Sequence, residues 1–162
     1  MTRRHRSLDT PTGPLRVTEE DGTIVQVTWT AKRASGADDA SALLDNAAEQ
    51  IAAYFAGALR VFDLPLKPSG SVFQRAVWEE MLRIPYGETR SYGDLAAATG
   101  GVARAVGGAC GANPIPILIP CHRVLAADRA LGGFSGGRGG ETKAELLTLE
   151  GAWPIQHSLL FS

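Results

Sequence analysis

Between positions 113 and 124 the chain reads Asn-Pro-Ile-Pro-Ile-Leu-Ile-Pro-Cys-His-Arg-Val, an apolar run punctuated by three prolines. Pro114, Pro116 and Pro120 fix their own φ and push the residues before them out of the helical region, so the segment is expected to be stiff and extended. At its end stands Cys121, followed at once by His122 and Arg123. A rigid strand that delivers a thiol beside an imidazole is what a nucleophilic cysteine needs. A buried cysteine that only packs is the plainer reading of a lone thiol. The polar His122-Arg123 pair directly after it favours chemistry.

With 162 residues, 44% of them hydrophobic, the chain is long enough for a real core in one domain or two small ones. The formal net charge of −1 does not advertise a nucleic-acid partner, but the distribution says more. From Leu95 to Ala127 there is no Asp or Glu, while Arg104, His122 and Arg123 all fall inside that stretch. It is locally electropositive, and local potential is what a polyanion meets. Cys110 and Cys121 are the only cysteines, too few for a disulfide framework, and a working thiol implies a reducing compartment. The basic start lacks a following apolar run of signal-peptide length, and no stretch approaches the length of a membrane span. A cytoplasmic protein without membrane association is expected.

Along the chain, Leu15–Thr18 and Ile24–Trp29 alternate around Asp21-Gly22 and predict a β-hairpin. Ala31 to Asp39 is small and polar, a loop. Ser41 to Leu59 carries Leu43, Leu44, Ala47, Ala48, Ile51, Tyr54 and Phe55 at helical spacing. Leu64 to Ser71 is the best linker, rich in Pro, Gly and Ser. Phe73, Val77, Trp78, Met81 and Leu82 then mark a helix that stops at Ile84-Pro85-Tyr86-Gly87. Ser91 and Asp94 have capping-box spacing and open a helix to about Thr99, Gly100-Gly101 breaks it, and helix resumes over 102–112. Ser91–Ala112 is therefore a helix-turn-helix candidate. Its second helix is bare, with Gly107, Gly108 and Gly111 each costing roughly 1 kcal/mol relative to alanine. Such a face either packs closely on another element or approaches a nucleic-acid groove, with Arg104 its one long side chain. The glycine-rich stretch 131–140 is too irregular for a dinucleotide or phosphate loop and reads as a loop that folds over a ligand. Glu141 to Glu150 predicts a helix with Ala144, Leu146, Leu147 and Leu149 inward and Gly151 as its cap.

Taken together, Pro120-Cys121-His122-Arg123-Val124, Arg104-Ala105-Val106-Gly107-Gly108 and Asn113-Pro114 resemble the signature of the O6-alkylguanine-DNA alkyltransferases. Ile84 to Tyr92, the Phe134-Ser135-Gly136-Gly137 loop and the Leu146 to Gly151 end fit the same family. The likeness is close from Val72 to Gly151 and holds only in outline before that. It implies an α/β (α+β) protein, with an N-terminal ribonuclease H-like domain over 1–68 and a C-terminal winged helix-turn-helix-like catalytic domain over 72–162. It also implies repair of guanine alkylated on its exocyclic oxygen, by irreversible transfer of the alkyl group to the protein's own cysteine. No cofactor and no metal are expected, and the implied partner of this monomer is double-stranded DNA containing O6-alkylguanine.

The resemblance assigns roles residue by residue. Cys121 is the nucleophile, His122 its base through a water, and Glu150 the group that orients the imidazole, the general logic of nucleophile, base and third group. Consecutive residues of an extended chain point to opposite faces, which is why direct contact between His122 and the sulfur is not expected. Tyr92 would donate to the leaving guanine as charge develops. The target lies inside a duplex and must be flipped out, at a cost of a few kcal/mol. Arg104 would fill the vacated place from the minor groove, and Asn113 would tie the helix-turn-helix to the cysteine segment. The carbonyls of Cys121 and Val124 and the amide of Ser135 would read the extruded base, and Phe134 and Arg123 are placed with the DNA- or base-contacting residues. Phe134 stands where several relatives have tyrosine, and Arg138, Gly139 and Gly140 look like an insertion. A zinc site found in the N-terminal domain of some relatives lacks its cysteines here, and Cys110 is read as a packing residue. The main alternative is a DNA-binding module without chemistry, like the alkyltransferase-like proteins; those have tryptophan at the cysteine position. A repressor would need more side chains on its second helix to read base edges, and a cysteine hydrolase usually has its histidine distant in sequence.

Overall fold

The computed structural model describes residues 2–31, 38–128 and 130–153. Its N-terminal half is a three-stranded antiparallel sheet, β1 (Arg3–Leu8), β2 (Leu15–Glu20) and β3 (Thr23–Trp29), in the order β1-β2-β3. The expected hairpin is β2–β3. Asp21 and Gly22 both take positive φ, 51° and 80°, the geometry that suits a tight turn to the twist of its strands. The sequence reading missed β1, because Arg3, Arg4 and Arg6 look like a charged terminus. Two aspartates make this edge strand viable. His5 N donates to Asp39 Oδ2 at 2.9 Å and Ser7 N to Asp38 Oδ1 at 2.9 Å, which occupies amides an open edge would expose. Most of the polar stretch expected as a loop, 32–37, lies outside the described residues.

Helix α1 (Ala42–Phe55) is capped by Ser41, whose side chain accepts from Leu44 N, and it buries Leu44, Ala47, Ile51 and Tyr54. The segment from Leu64 to Ser71 is less free than a linker. Ile24 N donates to Pro65 O at 2.8 Å and Lys67 N to Ile24 O at 2.9 Å, so it lies along β3. Ser71 and Gln74 form a capping box on α2 (Val72–Leu82), whose Trp78 is buried and donates from Nε1 to Ala109 O at 2.8 Å. A two-residue strand β4 (Arg90–Ser91) leads into α3 (Tyr92–Thr99), which has the expected Ser91–Asp94 box and ends on Gly100 at φ 75°. Helix α4 (Ala103–Gly111) follows and completes the helix-turn-helix.

The proline-rich segment differs from expectation. It is a buried tight turn: Ile119 N donates back to Ile115 O at 2.9 Å, and Ile117 takes φ 73°. For a β-branched residue that conformation is strained, and it is held here by a side chain only 1% exposed in the core. The prolines forbid helix, as argued, but Ile117 has no proline after it and is free to reverse the chain. Cys121–Arg123 is then a single 3-10 turn rather than extended chain, and β5 (Val124–Leu125) pairs in parallel with β4. Helix α5 (Gly140–Leu149) buries Thr142, Lys143, Leu146 and Leu147, while Ala144 and Leu149 are half-buried; Gly151 leaves it at φ 76°.

Candidate active site

Cys121 opens the 3-10 turn and is 7% exposed. Asn113 shapes its approach: Nδ2 donates to Ile119 O at 2.9 Å and Oδ1 accepts from Ile115 N at 2.9 Å, so one side chain closes the turn. Both bonds lie within the segment that leads from the end of α4 to Cys121. Burial pushes the Cys121 thiol up, while a hydrogen bond from Asn113 and the charge of Lys143 pull it back. The thiol therefore needs a base to become a thiolate.

An imidazole is adjacent in sequence. His122 is fully buried, with Nε2 2.7 Å from Glu150 Oε2 and Nδ1 without a hydrogen-bond partner. Glu150, at the C-cap of α5, is the hub of the site. Its Oε2 accepts from Tyr54 Oη at 2.6 Å and Arg123 Nη2 at 3.0 Å as well as from His122, and its Oε1 accepts from Arg123 Nε at 2.8 Å. Burial alone would raise the Glu150 carboxyl, but the hydrogen bonds from His122 and Arg123 and the charge of Arg123 outweigh it and bring it down to about 2. An ionised carboxylate can only accept, so His122 carries its proton on Nε2 and leaves a lone pair on Nδ1. Burial, offset in part by Glu150, holds the imidazole below its ordinary range and neutral.

Arg123 corrects the sequence reading. Expected at the DNA or the base, it is 7% exposed and its guanidinium is bonded to Glu150 and to Ile84 O, which Nη1 reaches at 2.7 Å. It lies in the 3-10 turn with Cys121 and His122, and all three residues are buried. The carbonyl of Val124 faces a prior claim too, since Lys143 Nζ donates to it at 2.6 Å. The carbonyl of Cys121 closes the turn by accepting from Val124 N.

A cavity of about 920 Å³ opens above the sulfur, walled by α4, the loop Gly133–Gly137 and β3. Tyr92, Arg104, Cys110, Asn113, Phe134 and Ser135 line it together with Cys121. Tyr92 stands at the first position of α3; burial, with the two thiols nearby, pushes its phenol up to about 12, so it is a neutral donor. The bare face of α4 is open, because a Cβ added at Gly107, Gly108 or Gly111 would meet nothing within 4 Å. Close packing is thereby ruled out as the reason for those glycines, and Arg104 is exposed on the same helix. Ser135 Oγ reaches Gly111 O at 3.4 Å and ties the loop to α4.

Comparison with known proteins agrees with this geometry. The family models described as the ribonuclease-like domain and the DNA binding domain of 6-O-methylguanine DNA methyltransferase match residues 4–68 and 72–152. The chain belongs to this methyltransferase family. A methylated-DNA–protein-cysteine methyltransferase of Mycolicibacterium paratuberculosis is 44% identical over 153 residues, 90% of this chain and 91% of the relative. The constitutive enzyme of that name from Bacillus subtilis is 40% identical over 156 residues, 90% and 94% of the two chains. The crystal structure of the Mycobacterium tuberculosis O6-methylguanine methyltransferase aligns with a TM-score of 0.82 at 39% identity, covering 99% of this chain and 100% of that one. The Mycobacterium tuberculosis protein in complex with DNA aligns at 0.81 with 41% identity, covering 98% and 99%.

Within this family member, two polar residues of the site escaped the sequence reading. Tyr54 was counted as core on α1, yet a buried phenol needs an acceptor, and it finds Glu150. Lys143 is 0% exposed; besides Val124 O, its Nζ approaches Gly133 O at 3.4 Å and Tyr92 Oη at 3.5 Å. Burial lowers it to about 8 against the pull of the two thiols. The signal was present: Lys143 precedes Leu146 and Leu147 by three and four residues, which places it on the buried face of the helix.

Proposed function

We propose that this chain repairs DNA by moving an alkyl group from O6 of guanine to Sγ of Cys121, in a single irreversible turnover. One observation carries the reading: a buried, neutral His122 next in sequence to the cysteine, its Nε2–H held by Glu150 and its Nδ1 lone pair left open. In the reaction the thiol proton passes to Nδ1, through a water as the family resemblance implies. The S–C bond forms as the C–O bond breaks, and the electron pair of that bond leaves with the guanine. Tyr92 donates a hydrogen bond as the base takes up charge, which stabilises the transition state more than the ground state. Guanine finally regains one proton, equal to the one lost from sulfur, so the turnover balances without a cofactor.

Supporting the DNA partner are the open Gly/Ala face of α4 with Arg104 upon it, and a cavity roomy enough for an extruded base. Phe134 is available to stack on that base, with Ser135 beside it. A division into an N-terminal unit (1–68) and a catalytic unit (72–162) is part of the same proposal, supported by the ranges of the two matching models. So are action as a monomer and a cytoplasmic location; no helix among the described residues is long and apolar enough to cross a membrane. The test is intact mass after mixing with duplex DNA bearing O6-methylguanine, followed by peptide mapping. The expected result is a gain of one CH2 on Cys121 that stops at one per chain, lost in Cys121→Ser although DNA binding remains. Binding without any gain in mass would replace this reading with a lesion-sensing module.

A further inference from the structure

Trp29 ends β3 in the N-terminal sheet, far in sequence from the cysteine, yet its indole forms part of the cavity wall. The ring is fixed in place: Nε1 donates to Thr12 Oγ1 at 3.1 Å, and Thr12, itself 6% exposed, is braced by Thr10 at 2.9 Å. Its other side faces the loop. Phe134 meets it edge-on, with ring centroids 5.9 Å apart at 76°. A Cβ built on Gly136 would lie 2.3 Å from one indole carbon and 2.7 Å from another.

That contact explains a glycine which the backbone does not. Gly137 and Gly139 take positive φ, 53° and 63°, and need glycine for their conformation. Gly136 does not, and what crowds a side chain there is the indole first, with the Phe134 ring next at 3.1 Å. The loop is thus strung between two walls, with Ser135 Oγ on Gly111 O at the α4 side and Gly136 seated flush on the indole at the β3 side. Ser135, one of those anchors, and the adjoining Phe134 are the loop residues assigned to the extruded base. We propose that Trp29 is a positioning residue of the N-terminal sheet that holds this loop against the substrate, with Gly136 as its matching seat.

The inference rests on the alkyl-transfer reading, and a double-mutant cycle tests it separately. Trp29→Ala lowers the rate of transfer from O6-methylguanine duplex by roughly tenfold or more, since a loop displaced by about 1 Å misplaces the base. Trp29→Phe, which keeps a ring over Gly136, recovers most of that rate, and duplex affinity measured in a Cys121→Ser background changes little in either. Gly136→Ala slows transfer when Trp29 is present and adds little to Trp29→Ala. The seat is also read without chemistry: Gly136→Ala lowers Tm by roughly 3–8 °C with Trp29 and by much less with Ala at 29. Transfer by Trp29→Ala at the unaltered rate, or strictly additive effects on rate and Tm, would overturn the proposal. An unaltered protein that transfers nothing while the Tm coupling persists would instead sink the alkyl-transfer reading.

Discussion

Replacing Glu150 with glutamine tests the centre of the site most directly. The Glu150 side chain is fully buried and its carboxyl holds three neighbours through four hydrogen bonds: Tyr54, His122 and, twice, Arg123. Its descent from 4.5 to about 2 is the net of an opposing burial effect and the favourable partners. At 1.36 kcal/mol per pH unit this is about 3 kcal/mol in favour of the folded, ionised site. Glu150→Gln removes the charge, leaves the Arg123 guanidinium buried without a counterion and turns an amide NH2 towards donors. A loss of about 3–5 kcal/mol in unfolding free energy at pH 7 is expected. The pH dependence supplies an independent check. A carboxyl whose folded value lies below its unfolded one adds stability that is complete well above 4.5 and disappears as pH falls towards 2. About 2 of the 3 kcal/mol should be gone at pH 3. Glu150 also raises the folded His122 pKa, so the imidazole titrates differently in the two proteins, and the pair is therefore compared in a His122→Asn background. Urea unfolding at pH 6 and pH 3 should there show the protein with the carboxylate losing up to about 2 kcal/mol more than the one with glutamine. A variant within 1 kcal/mol of wild type at pH 7, or equal pH slopes below 4.5, would refute the ionised hub.

Other substitutions separate the roles. Tyr54→Phe removes one of the donors on Glu150 Oε2 and should cost roughly 1–2 kcal/mol in denaturant unfolding, with slower transfer to Cys121; unaltered stability would mean the 2.6 Å bond contributes nothing. Arg104→Ala should slow repair of duplex DNA by roughly tenfold while transfer from a free alkylated base changes little, because extrusion costs a few kcal/mol only in a duplex; equal losses in the two assays would point to misfolding. Tyr92→Phe should slow transfer from methylated duplex by roughly a hundredfold with binding retained, the size seen when one donor to a developing anion is lost; a fall in binding that matched the fall in rate would make Tyr92 a contact residue only.

What could be read from the residues divides along a physical line. Local rules gave the β2–β3 turn, the Ser91–Asp94 box, the Gly100 stop and the open glycine face, because each depends on a few neighbouring residues. The family resemblance, and not any spacing, pointed to His122 and Glu150 beside Cys121, and a hydrogen bond at 2.7 Å joins those two across 28 positions. The failures are non-local. Arg3 to Leu8 became a strand because aspartates more than thirty residues away cover its edge, and no pattern inside β1 announces them. Proline stiffness was taken for extension over 113–120, yet a chain without helix can still turn, and Ile117 turns it. Beyond that turn the reading also missed the 3-10 helix at Cys121–Arg123 and the burial of Arg123, which gives Glu150 a cationic partner. Without it the carboxylate would have His122 and Tyr54 alone against its burial. The buried Arg123 is thus what lets this site keep an ionised carboxylate at the depth where the thiol lies, and that carboxylate fixes the His122 proton on Nε2 and leaves Nδ1 free.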